Sequence, residues 1–134
     1  MKTALVFGSS GLVGSHLLKE LINNSNYSMI KIFVRSLTEA NDPKVVIIKT
    51  DFNNLDKHDA DIKGDECFFC IGTTKKKSPN KSEYQKIELD IPKKIAQIAR
   101  YNLVKSFFFI SSGYANSKSS SDYLKFKGLV EEEI

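Results

Sequence analysis

One segment near the start of the chain, Gly8-Ser9-Ser10-Gly11-Leu12-Val13-Gly14, limits the possible folds more than any other. It follows a short apolar run, Lys2 to Phe7. It leads into Leu12 to Asn23, where Leu12, Val13, Leu17, Leu18, Leu21 and Ile22 form a helical stripe. Glycines in a turn say little alone, but a strand before them and an amphipathic helix after them make a phosphate-binding crossover. Gly8 permits the tight exit from the strand, and Gly11 lets backbone amides come close to a pyrophosphate. Gly14 lets the helix pack against the sheet. The helix N-terminus adds unpaired amides and a partial positive charge.

The rest of the chain repeats this alternation. Met29 to Val34, Val45 to Ile48, Glu66 to Ile71 and Phe107 to Ile110 read as further strands. Asn53 to Lys57 has room for a short helical turn only. Tyr84, Ile87, Ile91, Ile95, Ile98 and Ala99 mark a long helix that Pro92 should kink or restart. A polar loop, Thr73 to Ser82, precedes that helix, and a Ser-, Gly- and Asn-rich stretch, Ser111 to Ser121, precedes a last helix from about Asp122. Apolar strands separated by helices predict an α/β fold, a parallel sheet covered on both faces. Right-handed crossovers then give the doubly wound Rossmann order 3-2-1-4-5, with ligands at the carboxyl ends of the strands near the first and fourth. Residues 1–134 are expected to form one domain.

Composition narrows the partners. Lys and Arg number 20 against 16 acids, a net charge of +4. That mild surplus suits an anionic small molecule and is too weak to argue for nucleic acid; Lys75 to Lys77 read as a solvated loop. No run reaches the ~20 apolar residues of a membrane span. No targeting segment is read at the N-terminus, so a cytoplasmic location is expected. Cys67 and Cys70 have CxxC spacing but sit in a strand, where residues three apart face opposite ways. They are expected to be buried structural thiols, and no metal site is expected.

Two polar groups remain near the carboxyl end of the predicted sheet. Ser111-Ser112 follows the fifth strand, and Tyr123-Leu124-Lys125-Phe126-Lys127 opens the last helix. Residues four apart on a helix share a face, so Lys127 can stand beside Tyr123 and favour its phenolate.

The GxxGxxG spacing, the YxxxK pair and the segments Phe69 to Thr74, Phe109 to Gly113 and Tyr123 to Val130 resemble the short-chain dehydrogenase/reductase superfamily. The resemblance is to its extended and atypical branches, epimerase/dehydratase-like and Tat-interacting-protein-like, and covers essentially the whole chain. It implies that Gly8, Ser9, Ser10, Gly11, Leu12, Val13 and Gly14 hold a dinucleotide pyrophosphate. Arg35, in Val34-Arg35-Ser36, takes the position where a guanidinium pairs with the 2′-phosphate of NADP; an acid there would take the free 2′-hydroxyl of NAD. NADP(H) is therefore expected ahead of NAD(H). By the same resemblance Asp51 contacts the adenine amine, Phe52 flanks the ring, and Gly72 and Thr73 let the ribose pass. Lys127 holds the nicotinamide ribose, Ser112 (with Ser111 in reserve) steadies the substrate, and Tyr123 passes the proton that accompanies hydride transfer. The implied activity is that of an oxidoreductase or a nucleotide-sugar epimerase/dehydratase-like enzyme acting on a carbonyl or hydroxyl substrate. The rival is a non-catalytic, NADP(H)-sensing regulatory or interaction domain.

Members of that superfamily continue past the YxxxK helix, whereas this sequence stops at Glu131-Glu132-Glu133-Ile134. The chain is read as truncated, without a complete substrate-binding part. A fifth strand carrying Phe107, Phe108 and Phe109 would then be a bare edge, and self-association through that edge or the last helix is expected.

Overall fold

The computed structural model describes residues 1–36, 42–72, 80–111 and 113–134. The chain begins with β1 (Lys2–Phe7), α1 (Leu12–Asn23), β2 (Tyr27–Val34) and β3 (Val45–Lys49). A 3₁₀ turn (Leu55–His58), β4 (Glu66–Phe69) and α2 (Lys81–Gln85) follow. A π-helical turn (Lys86–Asp90) then joins α2 to α3 (Ile91–Tyr101), and β5 (Ser106–Phe109) and α4 (Asp122–Glu133) complete the order. The strands form one sheet in the order β3-β2-β1-β4-β5, every neighbouring pair parallel. This is the Rossmann arrangement expected from the alternation of strands and helices.

The two-residue period of β1 divides the core. Leu5 and Phe7 face the layer containing α3, packing with Cys67, Phe69, Ile91, Ile95 and Ile98. Ala4 and Val6 face α1 and its neighbours Leu21, Tyr27, Ile30 and Ile32. A strand buried on both faces has no alternation of polarity, which is why Ala4 to Phe7 reads as an unbroken apolar run.

At the carboxyl ends the register builds a row of rings. Phe7 stands opposite Phe33 on one side and Phe69 on the other, and Phe69 stands opposite Phe109. Centroid separations along the row are 4.2 Å for Phe33–Phe7, 6.3 Å for Phe7–Phe69 and 6.1 Å for Phe69–Phe109. Stacked and tilted aromatic pairs at such spacings add stabilisation beyond the area they bury. The row floors the end of the sheet where the glycine turn leaves.

Several strand boundaries differ from the sequence reading, the end of β3 by one residue, at Lys49. β2 begins at Tyr27, whose phenol donates to Glu66 on β4. β4 stops at Phe69 rather than Ile71. The Cys70 N–H still donates to the Phe7 carbonyl at 2.8 Å, but Gly8 then turns at φ +92° and β1 is no longer alongside. β5 spans Ser106–Phe109, ending in register with β4. Pro92 does restart the helix, as the second residue of α3. It lacks the N–H that a regular helix would aim at the Glu88 carbonyl, and the π-helical turn lies immediately before it.

Candidate functional site

The glycine turn is shaped by backbone contact. Gly8 adopts a positive φ, and a Cβ on it would stand 2.7 Å from the Cys70 carbonyl carbon. A Cβ on Gly14 would stand 1.8 Å from the Gly8 carbonyl oxygen, so α1 is seated against the exit of β1. Gly11 is the N-cap of α1. No side chain caps its amides, and no acid occupies its first turn. Uncapped amides at a helix start are donors that call for an anionic partner or water. Ser9 is buried and Ser10 exposed, while Leu12 and Val13 present 79% and 51% of their surface to solvent. Two apolar side chains left open beside polar amides suit a ligand with both phosphate and ring character.

The other residues that the resemblance assigns to the dinucleotide follow the remaining strand ends. Arg35 is exposed just after β2, and Gly72 is exposed after β4. Asp51 is exposed and accepts a 2.9 Å hydrogen bond from the Asn53 N–H, which, ahead of its other neighbours, holds its carboxyl below the usual range. Phe52 has φ 64° and is buried, its ring 6.4 Å from that of Phe7. That backbone region is costly for an aromatic residue and marks a locally constrained turn. Phe52 is thus a core residue as well as a candidate neighbour of the adenine. Thr73, Thr74, Ser112 and the lysines Lys75 to Lys77 lie outside the described residues.

The YxxxK pair comes together as helical spacing demands. Tyr123 is 45% exposed at the start of α4, and Lys127, one turn on, is 7% exposed. The Lys127 Nζ lies 5.6 Å from the Tyr123 ring centroid and 4.8 Å from that of Phe109, the last ring of the row. Cation–ring contacts within ~6 Å are attractive, more so out of water. Because Phe109 is in register with Phe69 and Phe69 with Phe7, Lys127 sits over the same end of the sheet from which Gly8 departs. Close by, the Ser111 hydroxyl oxygen is buried and has no hydrogen-bond partner among the described residues. An unpaired buried hydroxyl is costly, and the neighbourhood of functional sites is where such costs are kept.

Lys127 has a partner that the sequence reading missed. Glu88, from the π-helical turn, places Oε2 at 3.3 Å from Nζ, and both side chains are almost wholly buried. The sign was present in the sequence: Glu88 stands four residues after Tyr84 and three before Ile91, an acid beside the core-facing stripe of the long helix. Tyr84 packs on Phe126 with ring centroids 5.8 Å apart, and burial, followed by the nearby Glu88 charge, raises its phenol. Gly128 continues the constraint. A Cβ there would stand 2.4 Å from the Ser117 nitrogen, which locks α4 against the segment that leads into it. Cys67 is in the α3-facing core, Cys70 is half-buried, both are free thiols, and burial raises both.

A family model described as "NAD dependent epimerase/dehydratase family" matches residues 4–127. Among curated proteins, the chain is similar to Protein HTATIP2 of Rattus norvegicus, with 31% identity over 137 residues covering 99% of this chain and 56% of the rat protein. It is also similar to "Protein FMP52, mitochondrial" of Meyerozyma guilliermondii, with 36% identity covering 98% of this chain and 57% of the yeast protein. The chain therefore spans somewhat more than half the length of these relatives. Among solved structures, UDP-glucuronic acid 4-epimerase from Bacillus cereus, in complex with UDP-glucuronic acid and NAD, superposes with a TM-score of 0.71. Identity is 19%, covering 98% of this chain and 50% of that one. Uronate dehydrogenase from Agrobacterium tumefaciens gives a TM-score of 0.78 at 16% identity, covering 98% and 54%. These likenesses show the fold. The expected cytoplasmic location does not stand, because fungal relatives are named mitochondrial proteins. That expectation came from reading no targeting segment, and a missing signal does not fix a compartment. No helix among the described residues is long and apolar enough to cross a membrane.

Proposed function

Because the chain belongs to the NAD dependent epimerase/dehydratase family, whose model spans residues 4–127, we propose that it binds NADP(H) across the carboxyl ends of β1 and β4. Its chemistry would be that of an oxidoreductase or epimerase-like enzyme acting on a carbonyl or hydroxyl substrate. The observation that carries this reading is the meeting of two features at one end of the sheet: the uncapped start of α1 on Gly8 and Gly14, and the Tyr123–Lys127 pair over Phe109.

Gly8, Ser9, Ser10 and Gly11 would offer backbone amides to the pyrophosphate, with Leu12 and Val13 covering it and Gly14 keeping α1 close. Arg35 would pair with the 2′-phosphate, Asp51 and Phe52 would border the adenine, and Gly72 and Thr73 would pass beneath the ribose. When bound, the dinucleotide supplies or accepts a hydride. Lys127 would hold ribose hydroxyls and favour the phenolate of Tyr123. Tyr123 would give or take the substrate proton at its phenolic oxygen, and Ser112 would steady the substrate oxygen. Ser111, with its buried hydroxyl, is the alternative for that last role. Fluorescence titration with NADPH, followed by a carbonyl-substrate panel monitored by NADPH absorbance, tests the reading. Absence of saturable binding would defeat it.

The second reading, a non-catalytic NADP(H)-sensing domain, is favoured by the Glu88–Lys127 pair. A lysine whose charge is already compensated has less to give to a phenolate. Tight NADPH binding without turnover across the panel would favour it. We further propose that the 134-residue chain self-associates through β5, whose Phe108 is 48% exposed at the sheet edge. The names of the fungal relatives make mitochondria the compartment to examine for this chain.

A further inference from the structure

Lys127 carries its charge where little water reaches. Its side chain is 8% exposed and that of Glu88 4%, with 3.3 Å between the ammonium nitrogen and the carboxylate Oε2. The rings of Phe109 on β5 and Tyr123 on α4 stand 4.8 Å and 5.6 Å from the ammonium, measured to their centroids. The carboxylate arrives from the π-helical turn, an irregularity of a kind that tends to mark functional positions. Its other oxygen, Oε1, lies 3.7 Å from the point where a Cβ on Gly72 would stand, at the exit of β4. The pair therefore lies beside the strand end over which the ribose is proposed to pass. Among the described residues, the other titratable groups around it are Tyr123 and Asp122 on α4 and Tyr84 on α2, Glu88 and Asp122 both acting on the Tyr84 phenol.

We infer that Glu88 is a positioning residue that keeps Lys127 an ammonium in the floor of the proposed dinucleotide cleft. The inference rests on the proposed role of Lys127, and it assigns the π-helical turn the task of delivering the counter-charge. Burial disfavours the charged form of a lysine, and a carboxylate within about 4 Å favours it. Removing one member of a buried pair leaves the other uncompensated. A lysine can escape that cost by giving up its proton, whereas Glu88 removes the need. The protonation state matters to the site, because an ammonium offers three donors and no acceptor to ribose hydroxyls and a neutral amine offers fewer. Gln at position 88 would keep the size of the side chain and its capacity to hydrogen-bond, so only the charge would be lost.

The test is a pH titration of the lysine Cε signals by NMR, in the chain and in E88Q, each labelled with ¹³C at lysine. The Lys127 signal is assigned by its loss in Lys127→Arg. In E88Q, Lys127 is expected to lose its proton at lower pH than in the parent, by roughly one to three pH units for a buried cation without its partner. In E88D, which keeps the charge, the change is expected to be less than half as large. A Lys127 titration in E88Q that is unmoved or moved upward overturns the inference, and so does one in E88D that moves as far as that of E88Q. A merely structural role would lower the melting temperature of E88Q and leave the Lys127 titration where it is. Should E88Q fail to fold, E88Q/K127M leaves neither charge unpaired and is expected to restore a cooperative melt. Failure of that double variant to melt cooperatively also overturns the inference. The titration needs neither dinucleotide nor turnover. A chain that binds no NADPH but shows the shift would defeat the proposed function and leave the pairing of Glu88 with Lys127 standing. Saturable NADPH binding with an unmoved Lys127 titration would do the reverse.

Discussion

A Cβ on Gly14 would stand 1.8 Å from the carbonyl oxygen of Gly8, so the first turn of α1 rests directly on the backbone that leaves β1. Both ends of this contact are main chain, and neither can rotate away as a side chain could. The amides at the start of α1 are thereby held at a fixed place over the end of the sheet. Gly14→Ala is expected to cost about 1–3 kcal/mol in stability, the range for overpacked interiors. It should also weaken NADPH binding about tenfold or more, since each 1.4 kcal/mol is a factor of ten. Denaturant melts and a binding titration on the same preparation check both effects.

On the proposed reading, Arg35 carries the choice between the two dinucleotides. It is exposed just after β2. Arg35→Ala is expected to weaken NADPH binding by about 10- to 100-fold, the value of a charge-assisted hydrogen bond of ~1.5–3 kcal/mol. NADH binding should be nearly unchanged. Equal losses for the two nucleotides would show that Arg35 does not read the 2′-phosphate.

Tyr123→Phe separates binding from chemistry. The ring remains beside Lys127 and only the phenolic oxygen is lost. NADPH affinity is expected to stay within about twofold, while turnover falls by ~10²-fold or more, the usual contribution of a general acid–base group. Steady-state kinetics with binding titrations distinguish this outcome from a variant that has lost the cofactor.

At the other end of the sheet, Tyr27 donates to Glu66, and that hydrogen bond, then burial, pushes its phenol up from 10.0 to about 12. A group whose folded value is raised contributes stability that is fully present below its unfolded value. That contribution is lost as pH climbs through the folded one. The chain should therefore hold this increment of stability below about pH 10 and lose it between about pH 10 and 12. Tyr27→Phe should lack this component of the alkaline decline, as read from denaturant melts at a series of pH values.

The β5 edge gives a concentration-dependent prediction. Phe108 stacks on Phe68, with centroids 4.8 Å apart, and leaves nearly half its surface open on the edge strand of the described sheet. Light scattering should show mass rising with concentration for the 134-residue chain. Phe108→Lys, a charge of the kind that guards natural edges, should reduce the rise. A monomer at all concentrations up to about 100 µM, above the micromolar range where exposed edges associate, would contradict the proposal.

Much of the fold was legible in the sequence because it is written in local patterns. The apolar run Lys2–Phe7 and the stripe of Leu12–Asn23 coincide with β1 and α1, since burial on two faces and on one face leave different periods. The YxxxK pair was legible because helical spacing alone brings Tyr123 to Lys127. Less accessible were features that depend on what happens between elements. The row Phe33–Phe7–Phe69–Phe109 requires the register of four strands, which no single strand encodes. The end of β4 at Phe69 depends on Gly8 turning away, a property of its neighbour. Glu88 escaped notice because a regular 3.6-residue count from Tyr84 hides a π-helical turn, and because its partner lies on another helix. Ser112, chosen from sequence as the substrate positioner, lies outside the described residues. Its neighbour Ser111 has the buried hydroxyl.

The proposed function turns on the glycine turn and its surrounding strand ends holding a phosphorylated dinucleotide. Isothermal titration of the purified chain with NADPH and with NADH tests it most directly. One saturable site per chain is expected, with NADPH bound about tenfold or more tightly than NADH through the proposed Arg35 contact. No saturable binding of either nucleotide would contradict it.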